Sequence, residues 1–135
     1  MIKMKMSTEE AINAYFNAFN AHDAEAMLNT LHPDVRHEIN EGGSEHGIEA
    51  FRAFKAHMDH CYREQISDLI VTTCGTHGAA EFTCSGEYLK TDGGLPAANG
   101  QKYSIPAAAF FTVEDGLITR VTSYYNLRNW IAAVS

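Results

Sequence analysis

Apolar residues recur with a helical period in the first half of the chain. A capping box joins Ser7 to Glu10, and the apolar stripe that follows predicts a helix ending near Asn20. The stripe consists of Ile12, Tyr15, Phe16 and Phe19. Asp23 can cap a second, short helix that ends at Pro33. The apolar side of this second helix is Met27, Leu28 and Leu31. The pattern therefore predicts a helical hairpin.

The next segment predicts a short strand and then a third helix. Residues 35–40 alternate between apolar and polar side chains, and the paired glycines in the loop over 41–45 permit a sharp reversal. The third helix begins near Gly47. Its apolar stripe, which is wide enough to lie across a sheet, is Ile48, Phe51, Phe54 and Met58.

The second half of the chain is rich in β-formers. Long strands are predicted over 66–74, 79–89, 101–113 and 117–125, and a short helix over 126–131. Asp115 and Gly116 form the turn between the last two strands, because glycine accepts the positive φ that a tight hairpin requires. A continuous antiparallel sheet of this length must coil, and helices whose apolar stripes face it close one side of the curve. The product is a cone that contains a cavity.

Helices first and strands afterwards are typical of the α+β class. The chain has 135 residues, 45% of them hydrophobic, and contains no repeat, which predicts one domain over 1–135. We expect three N-terminal helices packed on a curved, mostly antiparallel sheet of five to six strands, followed by a short C-terminal helix.

Charge and hydropathy exclude several classes of partner. The net charge is −7, and the ten Lys and Arg residues are dispersed, so nucleic acid is not an expected partner. The first seven residues lack the apolar centre of a signal peptide, and no apolar run approaches the roughly 18 residues that span a bilayer. We therefore expect a cytoplasmic protein that does not associate with membranes.

Neither the cysteines nor the histidines form a recognisable metal motif. Cys61, Cys74 and Cys84 lack CxxC spacing and are expected to be reduced thiols. His57 and His60 lie near Cys61 on the third helix, and His46 precedes it, but only part of this set shares one helix face. We expect no metal and no cofactor.

Three segments resemble the nuclear transport factor 2-like (cystatin-like) superfamily, and within it the ketosteroid isomerase-related bacterial proteins and the SnoaL-like polyketide cyclases. They are Tyr-Phe-Asn-Ala-Phe-Asn-Ala-His-Asp over 15–23, Gly-Ser-Glu-His-Gly-Ile-Glu-Ala-Phe over 43–51, and Asp-Gly-Leu-Ile-Thr-Arg-Val-Thr-Ser-Tyr-Tyr-Asn over 115–126. None is a strict signature, but together they cover the fold. The resemblance implies a cone-shaped domain, a cavity for a small apolar molecule and a homodimer.

The resemblance to ketosteroid isomerase carries over only in part. That enzyme uses a carboxylate base, together with a tyrosine and a protonated carboxylic acid that both donate to the enolate oxygen. Tyr15 matches the position of the tyrosine, although it could equally be a core residue with an amphipathic ring. Ala109 stands where the acid is expected and donates nothing. The base falls at Ile39 or Asn40, and neither is a carboxylate, so a true steroid isomerase is not expected.

Two registers of the short strand lead to different catalytic candidates. His37 shares a face with Val35 and Ile39, while Glu38 shares the other face with Asn40. The aliphatic neighbours favour the register that places His37 in the cavity, where an imidazole suits general base chemistry. The reverse register would bring in Arg36, Glu38 and Asn40. Tyr15, His37 and Glu38 are therefore the catalytic candidates.

The lining of the cavity follows from alternation along the later strands. In the last strand Thr122, Tyr124 and Asn126 share a face, and Tyr-Tyr-Asn is similar to the Tyr-Tyr-Asp of SnoaL-like relatives, whose final residue reaches the cavity. Asn126 can orient a ligand but cannot accept its proton. The predicted ligand-binding residues are Asn40, Phe82, Cys84, Ala109, Phe111, Tyr124, Asn126 and Trp130, with Trp130 as a cover of the mouth.

Two functions remain open at this point. One is a cofactor-independent isomerase, cyclase or lyase that performs acid–base chemistry beside a carbonyl group. The other is a ligand-binding or scaffolding module that keeps the cone and lacks the catalytic set. The outer face of the sheet, with Thr83, Ser85, Thr112 and Ser123, suits a partner subunit, as the expected homodimer requires.

Overall fold

The computed structural model describes residues 5–135. Residues 1–4, which belong to the N-terminal segment that lacks the predicted pattern of a signal peptide, lie outside this range. Four helices and six strands follow one another in the described chain. They are α1 (Thr8–Asn20), α2 (Ala24–Leu28), β1 (Leu31–Ile39), β2 (Ser44–His46), α3 (Ile48–Cys61), β3 (Tyr62–Cys74), β4 (His77–Tyr88), β5 (Gln101–Glu114), β6 (Leu117–Tyr125) and α4 (Leu127–Val134).

The six strands form a single sheet with the order β2-β1-β6-β5-β4-β3. Only the β1–β6 pair is parallel, so the prediction of a mostly antiparallel sheet is confirmed. Breaks in register interrupt β1–β6, β3–β4 and β5–β6. Such bulges increase the local twist and bend the strands, which curves the sheet around its inner face.

Three helices cover the inner face and build the main core. Ser7 and Glu10 form the predicted reciprocal cap at the start of α1, which packs against β3, β4 and β5. Phe111, Ile118 and Val121 are fully buried between the sheet and the helices. A second apolar cluster lies toward the C-terminal end, where α4 packs on β5 around Trp130, Tyr88 and other aromatic residues. The predicted α+β architecture is confirmed.

The boundaries of several predicted elements are wrong. The second helix ends at Leu28, and Leu31 and Pro33 belong to β1, which starts four residues earlier than the 35–40 segment. The loop predicted over 41–45 contains the start of a short strand, β2. Pro33 lies between the pairs Leu31–Ile118 and Arg36–Arg120, where β1 departs from regular pairing. A proline without a backbone N–H is tolerated in such an interruption of the ladder.

Small side chains on the inner face leave space beneath the helices. Ala107 and Ala109 of β5 and Ser123 of β6 face inward, next to much larger residues such as Phe82 of β4. These small side chains stop short of α3, so the interior is not filled there. None of the helices within 5–135 is both long and apolar enough to cross a bilayer.

Candidate functional site

The space above these small residues is a cavity of about 450 Å³. Residues from all four helices and every strand except β2 line it, as does the loop between β4 and β5. Its wall is mostly apolar, with a limited set of polar groups at defined places. Enclosed apolar cavities of this size with a few convergent polar groups are the usual form of a site for a small molecule.

Tyr15 lies at the wall formed by α1 and β5. Its side chain is 8% exposed, and its ring contacts Phe111 with the ring centroids 5.4 Å apart. No hydrogen-bond partner for the hydroxyl is found within 5–135, and the residue lines the cavity. Burial raises the pKa of the phenol well above its ordinary value. The hydroxyl therefore stays protonated and is available as a donor.

His37 lies on β1 and lines the same cavity. The residue is 4% exposed, and its ring packs between Phe51 and Phe54, with centroid distances of 4.8 and 4.5 Å. Its Nδ1 is the one buried side-chain nitrogen or oxygen without a partner in the described chain. Burial lowers the pKa of the imidazole to about 4. At neutral pH the ring is uncharged and one nitrogen is free to accept a proton.

Phe51 of α3 links these two groups. Its ring is 1% exposed and contacts both Tyr15, at 6.4 Å between centroids, and His37, at 4.8 Å. Both polar side chains therefore pack against one buried ring at one end of the cavity. Unpartnered buried polar groups are rare in native structures, since each costs the free energy of its lost hydration. The unpartnered Nδ1 of His37, together with the Tyr15 hydroxyl beside the same ring, indicates that this end of the cavity is built to bind a polar group of a ligand or a water.

Four of the predicted ligand-binding residues line this cavity: Phe82, Cys84, Ala109 and Trp130. Trp130 of α4 is 5% exposed and closes the end opposite Tyr15, where it packs against Tyr62, Tyr88 and Tyr103. Tyr124 also borders the cavity, but its ring lies on the outer face and packs against Phe110. The residues of β6 whose side chains face the cavity most directly are Ser123 and Tyr125.

Four other predicted site residues do not line the cavity. Phe111 is fully buried behind Tyr15. Asn40 borders a groove on the outer face. Asn126 also borders that groove and caps α4, accepting a hydrogen bond from the Asn129 N–H at 3.0 Å. Glu38 is next to His37 on β1, and its side chain is on the other face of the sheet, where it accepts a hydrogen bond from Thr122 Oγ1 at 2.8 Å. The register with His37 inside is the one observed.

The cavity also contains a carboxylate that the sequence pattern did not predict. Glu64 of β3 lines it, and Tyr103 of β5 donates a hydrogen bond of 2.6 Å to Glu64 Oε2. These residues come from strands that flank β4, and Gly86 of β4 lies between them. A Cβ at Gly86 would lie 2.7 Å from the Tyr103 hydroxyl and 2.8 Å from the Arg63 carbonyl. Only glycine leaves room for this bond.

A second acidic group enters from the loop between β4 and β5. Asp92 accepts a hydrogen bond from the Tyr62 hydroxyl at 2.7 Å and pairs with His57 Nε2 at 2.9 Å. Cys61 Sγ lies 4.0 Å from the same nitrogen, so His57, Cys61 and Asp92 could offer three ligand atoms to a metal. Both carboxylate oxygens of Asp92 already have protein partners, and burial raises the pKa of the Cys61 thiol. The cluster is satisfied as a hydrogen-bond network.

Comparison with known proteins gives the family. The SnoaL-like domain profile matches residues 12–121. Two solved structures, each named a "putative polyketide cyclase", are similar over nearly the whole chain. The one from Pseudomonas putida KT2440 is 48% identical, with a TM-score of 0.94 and coverage of 96% of this chain and 99% of that chain. The one from Xanthomonas campestris pv. campestris is 50% identical, with a TM-score of 0.91 and coverage of 95% and 96%.

More distant likenesses concern the fold alone. An LEH-like epoxide hydrolase from M. tuberculosis is 18% identical, with a TM-score of 0.73 and coverage of 94% of this chain and 88% of that chain. No functionally curated protein matches the chain. The profile match over most of the chain and the two structures near 50% identity agree with each other. The chain belongs to the SnoaL-like domain family.

Proposed function

We propose that the protein is a cofactor-independent enzyme that performs acid–base chemistry beside the carbonyl group of a small, largely apolar molecule, as an isomerase, cyclase or lyase. The observation that carries this proposal is the pair of unpartnered groups, Tyr15 and His37, against one buried ring in a cavity of about 450 Å³. The name of the two similar structures, polyketide cyclase, fits this chemistry.

The two groups divide the work as follows. The Tyr15 hydroxyl donates a hydrogen bond to the carbonyl oxygen of the bound molecule, and this bond strengthens as negative charge develops there. A ring nitrogen of His37 takes the proton from the neighbouring carbon, and the electron pair of the broken C–H bond forms the enolate. The imidazolium then returns the proton to another carbon in an isomerisation, or to the new alkoxide when the enolate has attacked a second carbonyl.

The lowered pKa of the His37 imidazole agrees with its role as the base. At neutral pH the imidazole is uncharged and able to accept a proton. Burial makes the charged imidazolium form of His37 unfavourable. The enolate that forms beside it supplies a negative charge that compensates for this effect. Ala109 lines the cavity where ketosteroid isomerase would place its second donor. One missing oxyanion donor costs about 3 to 4 kcal/mol in the barrier, so we do not propose steroid isomerisation.

Hydrogen exchange in heavy water tests the proposal without knowledge of the natural substrate. Apolar ketones are first screened for binding by thermal shift, and the binders are then followed by NMR for deuterium uptake at the carbon beside the carbonyl. We expect uptake with the wild-type protein and its loss in Ala107→Leu, which fills the cavity with a larger side chain. Ala56→Leu, on the exposed side of α3, is the matched control and should keep the activity. Binding without any uptake would contradict an enzymatic function.

A non-catalytic binding module is the second candidate. The observation in its favour is that neither Ala109 nor Ile39, both of which line the cavity, carries the carboxyl group that the isomerase pattern requires. This candidate predicts tight ketone binding and no deuterium uptake. The same experiment therefore separates the two functions.

We also propose a homodimer formed through the outer face of the sheet. Ile70, Phe110 and Tyr124 are 56%, 42% and 39% exposed there, and they account for three of the five large exposed apolar residues in the described chain. A patch of this kind on a sheet favours self-association. Of the polar residues expected on this face, Thr83, Ser85 and Thr112 lie there, whereas Ser123 lines the cavity.

Disruption of the outer face tests the dimer. Phe110→Glu places a charge in the patch and is expected to shift the mass at micromolar concentration from dimer to monomer, as measured by light scattering. Glu49→Lys on the exposed side of α3 is the control and should leave the mass unchanged. A wild-type protein that is monomeric under these conditions would refute the dimer.

We also propose a cytoplasmic location. Cys61, Cys74 and Cys84 are all unpaired in the structure, and Cys74 is exposed. Unpaired exposed thiols are typical of a reducing compartment. Fractionation of cells that express the chain under its own promoter tests this location.

A further inference from the structure

Glu64 is the one carboxylate of the cavity wall whose only partners are neutral side chains. Four carboxylates line the cavity, from Glu41, Asp59, Glu64 and Asp92. Asp59 pairs with Lys55 at 2.7 Å, Asp92 pairs with His57 at 2.9 Å, and Glu41 accepts a hydrogen bond from the first N–H of α4 at 2.9 Å. Glu64 accepts one hydrogen bond, at Oε2, from Tyr103.

Glu64 borders the cavity, and within residues 5–135 Tyr103 is the only hydroxyl or N–H group that donates to its carboxylate. The Cys84 thiol lies beside the carboxylate, and its pKa is raised by burial, by the negative charge of Glu64 and by a hydrogen bond to Glu64. A carboxylate oxygen can accept more than one hydrogen bond, so a donor from a bound molecule can be added at Glu64.

The residues around Glu64 favour a donor that is neutral or positively charged. Lys55 is the only Lys or Arg among the described residues of the cavity wall, against four carboxylates, so the wall repels anions. Tyr62 and Trp130 line the same end, with their ring centroids 5.9 Å apart. Aromatic faces beside a carboxylate favour a group with positive charge or a polarised hydrogen.

Glu64 and Tyr15 lie toward opposite ends of the cavity. Tyr15 packs on Phe111 of β5, whereas Glu64 bonds to Tyr103, eight residues earlier on the same strand. Ala107 and Ala109, between those positions, form the open floor. A molecule whose carbonyl group meets Tyr15 and His37 would thus extend over the alanines and present its far end to Glu64.

We propose that Glu64 is a specificity-determining residue that binds a hydrogen-bond donor, a hydroxyl or a protonated amine, at the end of the ligand remote from its carbonyl group. Tyr103 and Gly86 hold the carboxylate in place for this contact. The ligand is then an elongated, apolar carbonyl compound with a donor at its far end, and acids are excluded. The inference rests on the proposed function, because it concerns the ligand of the same cavity.

Four biphenyl methyl ketones test the inference. They carry a hydroxyl, an aminomethyl, a methoxy or a carboxylate group on the far ring, and their affinities are measured by calorimetry. We expect the hydroxyl and aminomethyl ketones to bind the wild-type protein about tenfold more tightly than the methoxy ketone, since one charge-assisted hydrogen bond contributes at least that ratio. The carboxylate ketone should bind weakly or not at all.

The variant Glu64→Gln keeps the size of the side chain and its acceptor for Tyr103 but removes the charge. It should lose about tenfold in affinity for the aminomethyl ketone and gain affinity for the carboxylate ketone. Glu87→Gln removes an equal charge from the opposite face of the sheet and should keep the wild-type preferences. The aminomethyl and hydroxyl arms distinguish an amine ligand from a neutral one.

The inference would be overturned by two results together. The hydroxyl and methoxy ketones would bind the wild-type protein with equal affinity, and Glu64→Gln would keep the wild-type preference for the aminomethyl ketone. Failure of all four ketones to bind would also overturn it, because the cavity must accept a molecule that spans both ends. Preferences that depend on Glu64 without deuterium uptake would leave the inference intact and reject the enzymatic proposal. Deuterium uptake without those preferences would support the enzymatic proposal and reject the inference about Glu64.

Discussion

Replacement of Tyr15 by Phe is expected to lower the rate of deuterium uptake into a bound ketone by about a hundredfold, because it removes the only donor assigned to the carbonyl oxygen. The ring, which packs on Phe16, Phe51 and Phe111, is retained. The affinity for the ketone should change by less than the rate, since the hydrogen bond gains most of its strength as the enolate forms. The uptake rate and the dissociation constant, both measured by NMR, provide the comparison.

His37→Gln should lower the same rate by at least as much, because glutamine cannot accept the proton. Phe54→Leu changes a ring that packs against His37 without removing a titratable group, and it serves as the control. The control is expected to retain most of the activity. Wild-type rates in both Tyr15→Phe and His37→Gln would show that neither group takes part in the reaction.

The free energy of unfolding should decrease as the pH is lowered, because His37 has different pKa values in the folded and unfolded states. Its pKa is 6.5 in an unfolded chain and about 4 in the folded protein. Above pH 6.5 the ring is neutral in both states, and its contribution is constant. As the pH falls from 6.5 toward 4, the unfolded state binds a proton that the folded state does not bind, so the free energy of unfolding decreases. The loss from this one group reaches about 3 kcal/mol near pH 4.

Urea unfolding of the wild-type protein and of His37→Gln at several pH values measures this contribution. The difference in free energy of unfolding between the two proteins should be constant above pH 7 and should shrink by about 3 kcal/mol between pH 6.5 and 4. The other histidines and the carboxylates are present in both proteins, so their contributions cancel. Parallel pH dependences would mean that His37 is hydrated or partnered in solution.

The sequence predicted most elements because their local signals agree with the tertiary structure. The α1 cap and stripe, the α3 stripe and the hairpin through Asp115 and Gly116 are encoded by neighbouring residues. His37 was placed inside because Val35 and Ile39 share its face and are apolar, whereas Glu38 is charged. In each case a short-range pattern carries the information.

Where both faces of an element look alike, the pattern fails. Tyr124 and Tyr125 are adjacent on β6, one against Phe110 outside and one against the cavity, and alternation alone cannot distinguish them. Leu31 continued the apolar spacing of α2, yet it pairs with Ile118 in the sheet. These outcomes depend on how strands that are distant in the sequence pair with each other. Local propensity carries no information about that pairing.

The polar end of the cavity could not be predicted for the same reason. Glu64, Gly86 and Tyr103 lie on three different strands and meet only through the register of β3, β4 and β5. Glu64 in isolation is an ordinary polar residue of a strand. An interior glycine within β4 was the one available signal, because it suggests that a neighbouring group approaches the backbone closely.

The central claim is that a carbonyl group is bound between the Tyr15 hydroxyl and the His37 imidazole. A crystal structure of the protein with the tightest-binding biphenyl ketone tests it most directly. The account predicts the carbonyl oxygen about 3 Å from Tyr15 Oη and the adjacent carbon next to a ring nitrogen of His37. A ketone bound in the groove of the outer face, or bound in the cavity with its carbonyl group toward Trp130, would contradict it.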